Sequence, residues 1–294
     1  MPAIKDRVEV AVGKILLATD FSAVSTTAAA YARAIAHRFS STVLLTNVVD
    51  APTDVELAGV ALAPDADEMR RDSMAKLDEL LKTFTGLHAV PKVLDASTPA
   101  ATALTQEARS AEADMIIMGT TSKRGVEKLL VGSTAESVIR NATCPVLTIG
   151  PNVRPPSEDP LAFHNILYAT DFSAQAAKAA IYALSFAQDS AAHLYLCHVS
   201  KVGQTELADE LPTEQELEAS LRRLIPPSAY DYCTPTCVVE HGHTPSALLG
   251  LAQSIKADLI VLGSRKSSFW LQYIDTGLTP ALLAGAKCPV LTVC

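Results

Sequence analysis

The sequence has few charged side chains and no excess of positive charge. Charged residues make up 19% of the 294 positions, and 24 Lys and Arg stand against 32 Asp and Glu, which gives a net charge of −8. Proteins that bind nucleic-acid phosphates usually carry a basic excess, so the charge balance argues against a DNA or RNA partner. Anchoring to an anionic membrane by a basic patch is disfavoured for the same reason.

Long hydrophobic runs are also lacking, and none approaches the roughly 18 residues that a transmembrane helix needs. The first residues, Met1-Pro-Ala-Ile-Lys, do not form the apolar core of a secretory signal. We therefore expect no membrane partner and a cytoplasmic location. Hydrophobic residues nevertheless make up 49% of the chain, which is enough for buried cores. At roughly 150 residues per domain, the length indicates two domains.

Cysteine is scarce, because six residues in a chain of this length do not make a disulfide scaffold. Cys144 and Cys288 each precede a Pro-Val-Leu-Thr run, where a small buried hydrophobe is the favoured interpretation. Cys233 and Cys237 lack the second Cys/His pair of a zinc finger, so no metal site is predicted there. Cys294 ends the sequence and is expected to be exposed and to oxidise between molecules.

An internal repeat organises the chain. Three sequence blocks recur in the same order, the first with eight of nine residues identical and an offset of 151, the others with an offset of 144. The pairs are Ile15-Leu-Leu-Ala-Thr-Asp-Phe-Ser-Ala23 with Ile166-Leu-Tyr-Ala-Thr-Asp-Phe-Ser-Ala174, Ala113-Asp-Met-Ile-Ile-Met-Gly119 with Ala257-Asp-Leu-Ile-Val-Leu-Gly263, and Cys144-Pro-Val-Leu-Thr-Ile149 with Cys288-Pro-Val-Leu-Thr-Val293. This pattern indicates a duplicated domain rather than a solenoid of short repeats.

A proline-rich segment separates the two copies. Residues 150–160 contain four prolines and few apolar residues, which is typical of a segment between domains. We predict a first domain over 1–150, a linker over 151–160 and a second domain over 161–294.

Strand and helix patterns alternate within each copy. Short apolar runs predict strands, and the segments between them have helical spacing or helix-favouring composition. In the first copy, strands are predicted over 14–19, 42–49, 90–94, 115–118 and 146–149, and helices over 22–39, about 74–84, 99–111 and from 133 onward. This alternation predicts the α/β class, with two doubly wound, Rossmann-like domains, each a parallel sheet with helices on both faces.

Ligands of such folds bind beyond the carboxyl ends of the strands, where the strand order reverses. Asp20, the segment 47–49 and Gly119 lie at predicted strand ends. Ser133-Thr-Ala-Glu136 has the pattern of a capping box, which would start a helix at Ser133. A phosphate over Gly132 and the next two residues would meet backbone N–H groups and a hydroxyl. Glycines that serve only the turns explain the same pattern, and spacing alone leaves both interpretations open.

The glycine spacing resembles the signature of the universal stress protein family, in its tandem form. That signature is Gly, two residues, Gly, nine residues, Gly and then Ser or Thr, after a strand that ends in Met or a similar residue. This chain has Gly119, Gly132 and Ser133 at that spacing, but Ser122 stands where the second Gly is expected. The Ala-Thr-Asp-Phe-Ser and Cys-Pro-Val-Leu blocks match as well, so the resemblance covers nearly the whole chain twice.

The resemblance implies an adenine-nucleotide alpha hydrolase-type fold and, in one branch of the family, ATP binding. It implies ATP in the first domain only, with or without Mg²⁺, and no catalytic or metal-ligating side chain. The implied contacts are Ala18 and Asp20 beside the nucleoside, Val48 at adenine, Met118 and Gly119 at the base and ribose, and Gly132, Ser133 and Thr134 at the phosphates, with Ser122 beside them. Ser122 is expected to weaken binding rather than abolish it, because Ser is strained where a positive φ is needed.

Polar residues of the first block also have a structural interpretation. An acidic residue after a strand, such as Asp20, commonly accepts hydrogen bonds from nearby backbone N–H groups. It need be neither a magnesium ligand nor a catalytic base. Ser22 and Ser173 are interpreted as helix caps, because no His is placed to activate either as a nucleophile.

The second copy of the glycine-rich segment has changed. Aligned by the offset of 144, Lys266, Phe269, Thr276 and Gly277 replace Ser122, Gly125, Gly132 and Ser133. Larger side chains would fill a glycine-rich cradle, so we predict that the second domain does not bind ATP as the first does. Phe269-Trp270 either forms an exposed interaction patch or folds into the cleft. His241-Gly-His243 shows no third metal ligand at a definite spacing and is interpreted as part of a loop.

Three functions are compatible with these patterns. The first is a nucleotide-binding regulatory protein of the stress-response type, with slow or no hydrolysis. The second is a tandem scaffold or partner-binding module without nucleotide, and the third and weakest is an ATP-using enzyme. By the resemblance, the strands at 146–149 and 290–293 cover each other, within one chain as an intramolecular pseudo-dimer or in a homodimer of tandem chains.

Overall fold

Strands and helices alternate within each half of the computed structural model, which describes residues 10–50, 66–120, 132–200, 212–263 and 278–294. In the first half the elements are β1 Lys14–Ala18, α1 Ala23–Phe39, β2 Thr42–Asp50, α2 Ala66–Leu81, β3 Ala89–Ala96, α3 Ala100–Ser110, β4 Met115–Gly119, α4 Ser133–Asn141 and β5 Val146–Ile149. In the second half they are β6 Asn165–Ala169, α5 Ala174–Ser190, β7 His193–Ser200, α6 Glu214–Arg222, a 3-10 helix Pro227–Asp231, β8 Thr234–His241, α7 Thr244–Ser254, β9 Leu259–Gly263, α8 Leu278–Gly285 and β10 Val290–Val293. The predicted α/β alternation is confirmed.

The described strands form one sheet with the order β3-β2-β1-β4-β5-β10-β9-β6-β7-β8. Within each half, neighbouring strands run parallel. Where the halves meet, β5 and β10 pair antiparallel, with Leu147 opposite Leu291. Because these two strands are copies of each other, their pairing relates the halves by an approximate two-fold rotation.

Helices cover both faces of the sheet, so the inner strands β1, β4, β6 and β9 are buried on both sides and read as continuous apolar runs. Alternate residues of β1 enter different core clusters: Ile15 and Leu17 pack with α1 and α5 on the first face, and Leu16 and Ala18 pack with α3, α4, α7 and α8 on the second. No helix among the described residues is long and apolar enough to cross a membrane.

One helix begins earlier than its apolar spacing predicted. α2 includes residues 66–73, ahead of the expected start near Met74. Its first turns are rich in charge and held by surface ion pairs such as Arg70 to Asp67, at 3.2 Å, so apolar periodicity does not mark them.

The proline-rich segment lies along α1 rather than standing away from the domains. Leu161 donates its backbone N–H to the carbonyl of Ala34 (3.1 Å), and Arg38 donates to the carbonyl of Leu161 (2.9 Å). Arg33 pairs with Asp159 at 3.1 Å, and His37 contacts the other oxygen of the same carboxylate. The limits of the domains at 150 and 161 stay a prediction, since one sheet runs through both halves.

Candidate functional site

A crevice opens where the strand order reverses, between β1 and β4. Their carboxyl ends lie side by side, with Ala18 opposite Met118 in the register. The helices that follow them diverge, because α1 packs on the first face of the sheet and α4 on the second. In this class of fold, ligands bind above the strand ends at such a reversal, between the two diverging helices.

Three of the predicted nucleoside contacts form one apolar wall of this crevice. Ala18 and Met118 are buried and belong to the core of the second face, and the half-buried Val48 packs against the same core. They come from three strands that lie adjacent in the sheet, β2, β1 and β4. The structure thus brings together residues that lie about a hundred positions apart in sequence.

Asp20 organises the turn that leads from β1 into α1. Its Oδ1 accepts hydrogen bonds from the backbone N–H of Ser22 (3.0 Å) and from the hydroxyl of Ser25. Burial would raise the pKa of Asp20, but these hydrogen bonds to the charged form outweigh burial and hold the pKa below its usual value. The carboxylate is therefore ionised at neutral pH.

The remaining side chains of this block also satisfy backbone groups. The Thr19 hydroxyl accepts from the N–H of Phe21 (3.0 Å), and the Ser22 hydroxyl caps α1 by accepting from the N–H of Ser25 (3.2 Å). Phe21 adopts a left-handed backbone, with φ of 61°, which is unusual for an aromatic residue.

The second half repeats this turn in detail. Phe172 has φ of 60°, the Thr170 hydroxyl accepts from its N–H (3.0 Å), and Asp171 accepts from the N–H of Ser173 (2.9 Å). Ser173 caps α5 through the N–H of Ala176, at 3.2 Å. The interpretation of both serines as helix caps is confirmed. The two sequence blocks are nearly identical because both form the same turn, with the same side-chain hydrogen bonds to the backbone.

Gly119 ends β4 against the first turn of α1. A Cβ at this position would lie 3.0 Å from the backbone nitrogen of Ser25 and 3.0 Å from the carbonyl carbon of Val24. The equivalent Gly263 is tighter still, with backbone atoms of Gln175 and Ala176 at 2.6 Å. Close helix packing is therefore one reason for glycine here, whatever ligand lies above it.

The start of α4 reaches the crevice through Thr120, a buried residue that the sequence analysis did not single out. Thr120 donates its backbone N–H to Ile149 (2.9 Å), and its hydroxyl accepts from the N–H of Gly132 (3.3 Å). These bonds tie Gly132 to the carboxyl ends of β4 and β5. A polar residue directly after a buried strand was the available signal.

The predicted capping box at Ser133 is wrong. Gly132 is the N-cap, Ser133 is the first residue of α4, and none of the described side chains caps this helix. Glu136 pairs instead with Arg140 at 2.6 Å, an i to i+4 contact on the exposed side of the helix. Ser133 is exposed and Thr134 is half-buried beside it. Ser122 lies outside the described residues.

Asn47 closes the first-face side of the crevice. Its amide donates to the carbonyl of Thr19 (2.7 Å) and accepts from the Ser73 hydroxyl of α2 (2.7 Å). In the second half His198 takes its place: Nδ1 bonds to the carbonyl of Thr170 (2.9 Å), and the ring centroid lies 4.7 Å from that of Phe172, with the two rings tilted by 33°. This substitution changes the crevice between the two halves.

The structure describes some of the second-half residues that the sequence singled out, and others lie outside the described ranges. Ala169, Val199 and Gly263 repeat the strand ends of the first crevice, whereas Lys266, Phe269, Trp270, Thr276 and Gly277 lie outside the described residues. His241 lies 3.8 Å from Glu214, and His243 lies 3.1 Å from the Ser246 hydroxyl. Within the described ranges no three His, Cys, Asp or Glu side chains are grouped to hold a metal.

The family assignment follows from the match of sequence to this duplicated fold. The family model described as "Universal stress protein family" matches residues 12–150 and again residues 162–293. The chain belongs to the universal stress protein family. A universal stress protein of Methanocaldococcus jannaschii is 35% identical over 140 residues, which covers 46% of this chain and 81% of the relative.

A solved structure shows the same tandem architecture. The universal stress protein from Archaeoglobus fulgidus aligns with a TM-score of 0.73 over 98% of both chains, at 21% identity. At this identity the likeness concerns the fold alone.

Proposed function

We propose that the first-half crevice binds an adenine nucleotide, ATP, with or without Mg²⁺, and that the protein acts as a cytoplasmic stress-response regulator. The observation that carries this proposal is the start of α4, which Thr120 holds at the crevice and whose N-cap, Gly132, has no side chain that could accept from the first helical N–H groups. The N–H groups of a first helical turn need acceptors, and a phosphate supplies them while it meets the positive end of the helix dipole. Ser133 and Thr134 add hydroxyl donors there.

The apolar wall and Asp20 fit the nucleoside part of such a ligand. Ala18 and Met118 are buried beneath the strand ends and the half-buried Val48 packs against the same core, so the side chains that a base would meet there are apolar. Among the described residues, Ser22 and Ser25 both bond to Oδ1 of Asp20, so Oδ2 can accept from a ribose hydroxyl. A lowered pKa makes Asp20 a weak general base, which supports binding with little or no hydrolysis.

Restriction of the site to the first half rests on sequence. Thr276 stands at the position of Gly132 and Lys266 at that of Ser122, so the phosphate-facing segment differs in size and charge. His198 in place of Asn47 changes the other side of the crevice.

A scaffold without nucleotide is the second candidate, and specific contacts favour it. The block at 15–23 and Gly119 are each accounted for by backbone hydrogen bonds or helix packing. The N–H of Gly132 is already bonded to Thr120. An ATP-using enzyme is the weaker alternative, and turnover well above background that is abolished by Asp20→Ala would favour it.

Native mass spectrometry of the full chain, with and without Mg·ATP, tests the proposal. We expect one nucleotide per chain and at least tenfold weaker binding by Gly132→Val, because its branched side chain crowds the helix start. Gly277→Val, in the equivalent segment of the second half, is the matched control and should bind normally. Unchanged melting temperatures of both variants would separate lost binding from lost folding.

The opposite result is equally clear. If no nucleotide binds at millimolar ATP, the scaffold becomes the better account. The same spectra count chains per particle, so they also distinguish the two assemblies that we propose as alternatives, an intramolecular pseudo-dimer joined at β5–β10 and a homodimer of tandem chains.

A further inference from the structure

The antiparallel junction of the two halves brings two cysteines together. In the β5–β10 ladder Thr148 lies opposite Val290, Leu147 opposite Leu291 and Val146 opposite Thr292. Each step back along β5 is matched by one step forward along β10. Continuing the ladder by two residues beyond its last pair places Cys144 opposite Cys294.

Both side chains point to the same face of the sheet. Both cysteines pack against the core of the second face and are half-buried. Directly opposite residues of an antiparallel pair have Cα atoms about 4.5–5.5 Å apart, which is within the range that a disulfide spans, and their Cβ atoms need to approach to about 3.5–4.5 Å for the bond to form.

A side-chain contact supports the same placement. Cys294 Sγ lies 3.5 Å from the carbonyl oxygen of Ile139, in the last turn of α4. Cys144 follows that helix in the connection to β5. The last residue of the second half therefore contacts the first half next to Cys144.

The opposite end of the junction cannot form such a pair. The same register, continued the other way, places Gly150 opposite Cys288. Gly150 has no sulfur, and its Cβ position lies 2.3 Å from the carbonyl oxygen of Leu283. The duplication is thus broken at one position, where Cys294 replaces the glycine of the first copy.

We propose that Cys144 and Cys294 are a redox-sensitive pair that forms a disulfide between the two halves when a peroxide is present. One thiolate attacks the peroxide, becomes a sulfenic acid and releases water or an alcohol. The second thiol then displaces water from that sulfur and the S–S bond forms. Two electrons pass from the sulfurs to the peroxide, and both thiol protons leave in the products.

The environment of Cys144 influences the rate at which its thiol is oxidised. Burial, together with the neighbouring Cys294, raises the pKa of Cys144 to about 11. Its thiolate is scarce at neutral pH, so oxidation is slow and speeds up as the pH rises. The pair is suited to a lasting link under sustained oxidation rather than to rapid signalling.

The other cysteines are less suited to this chemistry. Burial raises the pKa of Cys197 and of Cys288 to about 12. Cys233 and Cys237, four residues apart, are the alternative candidates for a disulfide. Cys233, however, is buried, and its sulfur lies 3.3 Å from the carbonyl oxygen of Ala229.

Peptide mapping of the full chain after hydrogen peroxide treatment at pH 8.5 tests the pair. We expect a peptide linked through Cys144 and Cys294, loss of two alkylatable thiols per chain, and an intact mass lower by about 2 Da because two hydrogen atoms leave. The oxidised chain should melt roughly 5 °C or more above the reduced chain, and reduction should reverse the shift. Cys144→Ser and Cys294→Ser should each abolish the link and the shift, whereas Cys237→Ser should retain both.

Three outcomes would overturn the proposal. They are a bond between Cys294 residues of two chains, a bond confined to Cys233 and Cys237, and sulfinic or sulfonic acids without any Cys144–Cys294 link. None of these measurements depends on nucleotide, so the redox pair and the proposed ATP site succeed or fail independently.

Discussion

Gly119 and Gly263 show how one residue serves packing and a binding site at once. Each ends a strand at the floor of its crevice, and each faces the first turn of the helix that begins the half. The second glycine is retained although the phosphate-facing segment of its half has changed. A glycine at this position therefore does not by itself indicate a ligand, because the close approach of α1 or α5 already requires it.

Alanine substitutions at these glycines should lower the free energy of unfolding by different amounts, because the space for a Cβ differs between the sites. Gly263→Ala places a Cβ 2.6 Å from backbone and should lower the free energy of unfolding by about 2 kcal/mol, whereas Gly119→Ala, at 3.0 Å, should cost about 1 kcal/mol. Gly250→Ala is the control, since nothing lies within 4 Å of its Cβ. Because Ala favours a helix over Gly, this variant should be more stable by about 0.5–1 kcal/mol. Urea unfolding measures all three, and equal costs at Gly119 and Gly250 would contradict the packing argument.

The β5–β10 strand pair joins the two halves, and it contains two buried hydroxyl groups that lower its stability. Thr148 and Thr292 are fully buried, and neither hydroxyl has a hydrogen-bond partner among the described residues. A buried hydroxyl without a partner costs about 1–3 kcal/mol relative to its state in water. Both lie on the face that carries the proposed cysteine pair.

Replacing these hydroxyls by methyl groups should stabilise the protein. We expect Thr148→Val and Thr292→Val each to raise the free energy of unfolding by about 1 kcal/mol, because the side-chain volume is kept and an unmatched polar atom is removed. Thr46→Val is the comparison: Thr46 is equally buried, but its hydroxyl donates to the carbonyl of Leu44 at 3.3 Å. This third variant should not be stabilised, and a gain as large as the other two would refute the explanation.

At the scale of the whole molecule, the proline-rich segment fastens the second half to α1. Asp159 accepts from Arg33 and contacts His37. Burial would raise the pKa of Asp159, but the hydrogen bonds and charges of these two partners lower it below its usual value. A carboxylate with a lowered folded-state pKa stabilises the fold above its unfolded-state pKa, and this contribution is lost as the pH falls towards the folded-state value.

Acid should therefore release this attachment. We expect Asp159→Asn to lower the melting temperature at pH 7, and the difference from the parent protein to shrink as the pH falls below about 4. Asp78→Asn provides the control, because Asp78 is exposed on α2 and has no ion pair among the described residues. A melting difference for Asp159→Asn that persists unchanged at pH 3 would show that the carboxylate charge is not its source.

The sequence by itself determined the duplication, the α/β class and most strand positions, because repeated blocks and continuous apolar runs are local signals. It also determined that Ser22 and Ser173 cap helices, since the cap and its N–H partner lie three residues apart. The local pattern predicted a capping box at Ser133, which was wrong, because Glu136 pairs with Arg140 on the exposed side of the helix.

Only the tertiary structure decided which distant residues meet. The attachment of Gly132 to Thr120, the docking of Asp159 on α1 and the contact of Cys294 with Ile139 all depend on strand order and register. A slip of one residue in the β5–β10 register would turn each side chain to the other face and separate the cysteines. Register is fixed by packing between strands that lie far apart in the chain, and no local pattern records it.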